Sequence, residues 1–185
     1  MDDGRIVELY WNRSEQAIAE TERKYGHYCY RIAYNILTSK EDAEESVSDT
    51  YMAAWNAIPP HRPGVLATFL GKITRRISID RWRARGAYKR GGGQVAVALE
   101  ELEECVASNE NVEQTYAKKE LLAAYKRFIE KLPTTERSVF LLRYWYLDSI
   151  GDIAQKHGFS ESKVKSMLHR TRQKLHKCLA EEGLL

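Results

Sequence analysis

Apolar residues recur at three- and four-residue intervals through most of the chain, with no sustained alternation, so nearly every periodic segment predicts helix and the fold class is all-α. A short helix is predicted around Ile6 to Trp11, followed by a Ser14-led helix to about Leu37. The second is expected to bend or break near Gly26, because glycine is costly in a helix interior. Ser39, three residues ahead of Asp42, caps a helix that runs to Ile58, where Pro59-Pro60 stops it. Ala43, Val47, Tyr51, Ala54 and Ile58 form its inward stripe, with Trp55 beside it, which sends Asp42, Glu45 and Asp49 to an outward, acidic face. After a Pro/Gly-containing loop, Leu66, Leu70, Ile73 and Ile77 are the expected buried stripe of the next helix, with most of the arginines from Arg75 to Arg85 off it.

Gly91-Gly92-Gly93 maximises backbone freedom and offers nothing to pack, so it marks a boundary. The expected organisation is two small helical domains, 1–88 and 115–185, joined by a flexible acidic linker at 89–114. In the second domain Leu121, Leu122, Tyr125, Phe128, Ile129 and Leu132 form one stripe. Pro133 then breaks the chain, and Thr134 or Thr135 is expected to cap a helix carrying Val139, Leu142, Tyr144 and Trp145. From Ser149 to Cys178 the pattern is helix, glycine-containing turn and longer helix, which is a helix-turn-helix: Gly158 suits the turn and Ser160 caps the second helix. Val164, Met167, Leu168, Thr171 and Leu175 bury one side of that helix; Ser162, Lys163, Ser166, His169, Arg170 and Gln173 line the other, with side chains able to bond base edges and phosphates.

Charge sharpens this picture through its distribution. The formal net charge of +3 is a weak argument for a nucleic-acid partner. Yet Arg75 to Arg90 holds seven basic residues and one acidic, Ser160 to Cys178 six and one, and Leu99 to Glu113 six glutamates with no Lys or Arg. Two anion-binding patches flanking a segment repelled by nucleic acid is the implied arrangement. The odd, widely spaced Cys29, Cys105 and Cys178 fit neither a disulfide framework nor a metal knuckle, which points to a reducing cytoplasm. The spacing of His157, His169, His176 and Cys178 matches no common zinc pattern, and no phosphate loop or acid/base constellation appears. No metal, cofactor or catalytic residue is expected, nor a membrane span.

Three segments resemble one family. Lys163 to Arg172, KVKSMLHRTR, is similar to the TVKSRLHRAR of region 4 in extracytoplasmic-function (ECF) sigma factors, and Leu132-Pro133 with Ser149 to Ala154 match the part upstream of it. Asp42 to Trp55, DAEESVSDTYMAAW, resembles the family's region 2 segment DAEDLVQETFLRAW, and Phe69-Leu70 through Arg83 resembles WLYRIARNLAIDYLRR. Ser46 and Ser48 stand where Leu and Gln are usual, Lys163 and Met167 where Thr and Arg are.

The resemblance implies a non-enzymatic transcription initiation factor with no cofactor. Its partners would be core RNA polymerase (the clamp helices of the largest subunit, and the flap), promoter DNA and an anti-sigma factor. It places Asp42, Glu45, Ser48 and Asp49 at the polymerase, and Arg62, Lys72, Arg75, Arg76 and Arg83 at the downstream (−10) element, the one that melts. Trp82 is read as packing. Ser162, Lys163, Lys165, Ser166, His169 and Arg170 fall at the upstream (−35) element, with Arg172 as a phosphate or packing residue. A stand-alone helix-turn-helix regulator explains the second domain equally well and leaves the region 2 resemblances as coincidence.

Overall fold

Side-chain caps start several of the helices. Asp2 Oδ1 accepts from the Arg5 N–H at 3.1 Å, Ser39 Oγ from Asp42 at 3.3 Å, Ser149 Oγ from Asp152 at 2.9 Å and Ser160 Oγ from Lys163 at 3.2 Å. Each satisfies a donor that the first helical turn cannot pair internally. The computed structural model describes residues 1–85, 94–103 and 114–184; Gly91 to Gly93 and Cys105 lie outside the described residues. Among those described there are nine helices and no strand: α1 (Asp3–Trp11), α2 (Gln16–Leu37), α3 (Lys40–Ala57), α4 (Leu66–Ala84), α5 (Gln94–Glu103), α6 (Gln114–Lys131), α7 (Thr134–Tyr144), α8 (Ile150–His157) and α9 (Glu161–Glu181). They form two units, Met1–Gly91 and Gly92–Leu185.

In the first unit α2, α3 and α4 pack on one another and α1 packs on α2, around Ile6, Tyr10, Cys29, Ala54, Ile58, Leu66 and Leu70. α2 runs unbroken through Gly26. A Cβ there would lie 3.4 Å from the Tyr51 hydroxyl, an ordinary contact, so the glycine neither bends the helix nor is demanded by crowding.

The buried stripe of α4 is Leu66, Leu70, Gly71, Thr74, Ser78 and Trp82, and the expected Ile73 and Ile77 fall at its margin. Small hydroxyls permit this. Thr50 on α3 and Thr74 on α4 sit 3.1 Å apart, and each reaches the carbonyl four residues back, at 2.7 and 2.9 Å, so neither polar group is left unpaired at the crossing. Asp42 departs from the outward placement its spacing suggested: it is 6% exposed and its carboxylate pairs with Arg85.

In the second unit α9 packs against α6, α7 and α8, and α5 packs on α7. The expected linker is therefore helical from Gln94 to Glu103. Val95, Ala96 and Ala98 are buried, and Glu101 accepts a hydrogen bond from Tyr144 at 2.9 Å. Arg172 donates to the same Tyr144 oxygen at 2.7 Å, with Arg143 and Arg172 at 3.6 and 3.4 Å from the Glu101 carboxylate. Burial holds the Tyr144 phenol well above its ordinary pKa, so it stays a neutral donor in this network. Neither threonine caps α7. Pro133 is the N-cap residue, its carbonyl accepting from Arg137 at 2.9 Å. Arg137 also donates to the carbonyls of Glu130 and Leu132 at 2.8 and 3.0 Å, which satisfies the end of α6. Leu122, expected inside, is 62% exposed.

Candidate nucleic-acid interface

The helix-turn-helix is assembled as its sequence implies. α8 ends at Gly158, whose φ of +64° few other residues adopt, and its N–H bonds back into α8. Val164, Met167, Leu168, Thr171, Leu175 and Leu179 bury the inner side of α9, against which Ile153 and Ala154 of α8 are also buried. Ser162, Lys163, Lys165, Ser166, His169, Arg170 and Gln173 are all exposed, which leaves the N-terminal half of α9 free to enter a major groove. Lys165 pairs with Glu161 at 3.7 Å, a loose surface pair that a phosphate can displace. Arg172 is instead drawn to Glu101 and Tyr144, the packing alternative. Ser160→Ala removes the cap of this helix and should cost the unit about 1 kcal/mol, read from its chemical denaturation midpoint.

In the first unit the basic residues of α4 divide by face. Lys72, Arg76 and Arg83 are exposed, and their spacings of four and seven stack them along one side. Arg75 is half-buried. Arg81 turns to α3, where it bonds both Glu45 and, at 2.8 Å, Asp49. These bonds raise the guanidinium's pKa, the Glu45 bond most, against opposition from partial burial. Arg62, in the loop between α3 and α4, pairs with Glu8 and lies over the Trp11 ring at 5.2 Å. That loop residue is thus tied to α1. Trp82 is 8% exposed and packs.

Glu45, Ser48 and Asp49 are exposed on one side of α3, and Asp42 is not with them. What the charge pattern did not reveal is an adjoining groove of about 520 Å³ between α2 and α3, lined by Glu15, Ile18, Ala19, Glu22, Met52 and Trp55. Trp55 is held there edge-on by Tyr10, with Arg13 over its ring at 5.3 Å. Met52 is 54% exposed, and an exposed methionine at a helical spacing from Ser48 and Asp49 was the available signal.

Among the described residues the chain is all helical, one unit carrying a helix-turn-helix and the other a basic helix face beside an acidic one, a pattern suited to a DNA-binding protein of two parts. Residues 23–88 match the family model of sigma-70 region 2, and residues 122–175 that of sigma-70 region 4. The chain is 26% identical over 164 residues to the ECF RNA polymerase sigma factor SigE of Mycolicibacterium smegmatis, covering 89% of this chain and 62% of that protein. It is 25% identical over 170 residues to the ECF RNA polymerase sigma factor SigW of Bacillus subtilis, covering 90% and 91%. The chain belongs to the sigma-70 family, as a sigma factor of the ECF type. Members of this family interact with core RNA polymerase and promoter DNA. Among the described residues no helix is long and apolar enough to cross a membrane, and no cluster of His, Cys, Asp or Glu is placed to hold a metal ion.

Proposed function

We propose that this chain binds core RNA polymerase and directs it to promoters, reading an upstream element as duplex with α9 and holding a downstream element with α4, and that it catalyses no reaction itself. The observation that carries this is the joint presence of a free polar face on the first turns of α9 and an unpaired-by-position basic row, Lys72, Arg76 and Arg83, on α4 of the other unit. Ser162, Lys163, Ser166 and Arg170 supply base and phosphate contacts, with Lys165 and His169 on the backbone. Lys72, Arg76 and Arg83 hold phosphates of the downstream element, with Arg75 and Arg62 as further contacts to it.

The polymerase meets Glu45, Ser48 and Asp49 together with the apolar floor of the adjoining groove. The groove, rimmed by Glu15 and Glu22 and continuous with the acidic side of α3, suits a basic segment of the polymerase, and the family resemblance makes that segment the clamp helices of its largest subunit. Asp42 acts beneath that surface, fixing α3 to the end of α4 through Arg85. An anti-sigma factor is the partner that restrains the chain, and the cytoplasm is its setting.

Run-off transcription on fragments of the parent genome, with cognate core polymerase and with or without the chain, tests the proposal. Discrete new transcripts that need both components are expected. Tight operator binding by the chain alone, with no such transcripts, would identify a stand-alone regulator instead.

A further inference from the structure

Lys163 is an unfavourable residue for its position. It is the third helical residue of α9, where the positive end of the helix dipole opposes a cation, and it stands where the resembling sequences usually carry an uncharged Thr. The structure shows what offsets this: the Lys163 ammonium lies 3.6 Å from the centroid of the Phe159 ring, the residue just ahead of the Ser160 cap. An aromatic face attracts a cation through its quadrupole, and unlike a carboxylate it leaves the full charge available to a second acceptor. Lys165, two residues on, is the contrast, since its charge is shared with Glu161.

The ring is itself held. The Phe159 N–H donates to the Ala154 carbonyl at 2.9 Å, which closes the turn. The ring stacks on His157 with centroids 5.6 Å apart and planes 24° apart. The His157 Nε2 lies 3.2 Å from Ser138 Oγ on α7. A hydroxyl on one helix therefore fixes an imidazole, the imidazole a phenyl ring, and the ring an ammonium at the mouth of the recognition helix. Lysine is a flexible point charge that ordinarily reaches whichever phosphate is nearest. Pinned over Phe159, it loses most of that reach before DNA arrives, and binding then orders less.

We infer that Phe159 is a positioning residue for promoter selection: its ring holds the Lys163 ammonium at the N-terminal end of α9, where it meets the O6/N7 acceptor pair of a guanine in the upstream element. This rests on the sigma-factor reading above and deepens it by naming what sets the preference. Phosphate contacts alone would strengthen binding to every sequence; a pinned cation at a base edge favours one.

The experiment uses the full chain and two readouts. In the free protein, the ε-methylene protons of Lys163 should be shifted upfield by the ring in wild type and in Phe159→Tyr, and should return to the ordinary lysine position in Phe159→Leu. With cognate core polymerase, transcription is then competed across promoters randomised in the upstream element. Wild type should select guanine at one position and Lys163→Ala should lose that selection. Phe159→Leu should lose about two- to fivefold of it, the range of an exposed cation–ring contact, while Phe159→Tyr retains it. Phe159→Leu combined with Lys163→Ala should select no worse than Lys163→Ala alone.

A Phe159→Leu variant that weakens all promoters equally, or whose effect adds to that of Lys163→Ala, would make Phe159 an ordinary turn residue and overturn the proposal. So would an unshifted Lys163 signal in wild type. A wild type that drives no promoter-dependent transcript overturns the function and the proposal together, and is distinguished from the other failures by that absence.

Discussion

Replacing Phe140 by alanine lowers the stability of the second unit by about 3–5 kcal/mol, the usual cost of truncating a buried phenylalanine. Phe140 is 1% exposed on α7, with ring centroids of Tyr144, Tyr125 and Phe128 at 4.6, 6.2 and 6.4 Å. Those three rings come from α7 and α6, and none can close the gap without leaving its own packing. A unit of this size has roughly 5–14 kcal/mol in hand, so the loss should lower its thermal midpoint by roughly 12 °C or more. Because each unit has its own core, the transition of the first unit should stay in place. Calorimetry separates the two. Function should divide in the same way: near the lowered midpoint the variant loses recognition of the upstream element and still competes for core polymerase through its first unit. A loss under about 1 kcal/mol would mean that the aromatic cluster collapses around the missing ring.

The recognition helix was legible because everything it needs is local: an apolar period, Gly158 in the turn and Ser160 at the cap. The interior of the first unit was less so. On α4 the isoleucines at 73 and 77 outrank Thr74 and Ser78 in hydrophobicity, but a helix crossing rewards small size, and the Thr74 hydroxyl, bonded to its own helix, is no longer a polar penalty, whereas Ser78 Oγ is buried without a hydrogen-bond partner among the described residues. Helical spacing already sets Arg81 and Arg85 opposite Lys72, Arg76 and Arg83, but which of the two sides meets α3 is a tertiary fact. The helical piece of the acidic segment had a signal that its charge obscured. Val95, Ala98, Leu99 and Leu102 recur at helical intervals, and Glu101 finds Arg143, Tyr144 and Arg172 only once α7 and α9 are folded.

The division of the arginines produces the other large effect. Arg81 bonds Glu45 and Asp49, so two carboxylates and one guanidinium leave this part of α3 with a single net negative charge. If a basic segment of the polymerase docks here, Arg81 competes with it for the same acceptors. Asp49→Arg turns the cluster net positive and should weaken association with core polymerase about tenfold or more. The fold should barely notice, because Glu45 and Asp49 are 64% and 49% exposed and such pairs contribute about 0–1 kcal/mol. Arg81→Ala should act in the opposite direction, freeing both carboxylates and tightening association by about threefold at low salt. Opposite signs are the discriminating result, since loss of α3–α4 packing would weaken binding in both variants. Competition for labelled core polymerase at two salt concentrations reads them, and raising the salt should shrink both changes. An Asp49→Arg variant that binds as wild type would shift the docking surface to the apolar groove of Ile18, Met52 and Trp55, where burial rather than charge would hold the partner.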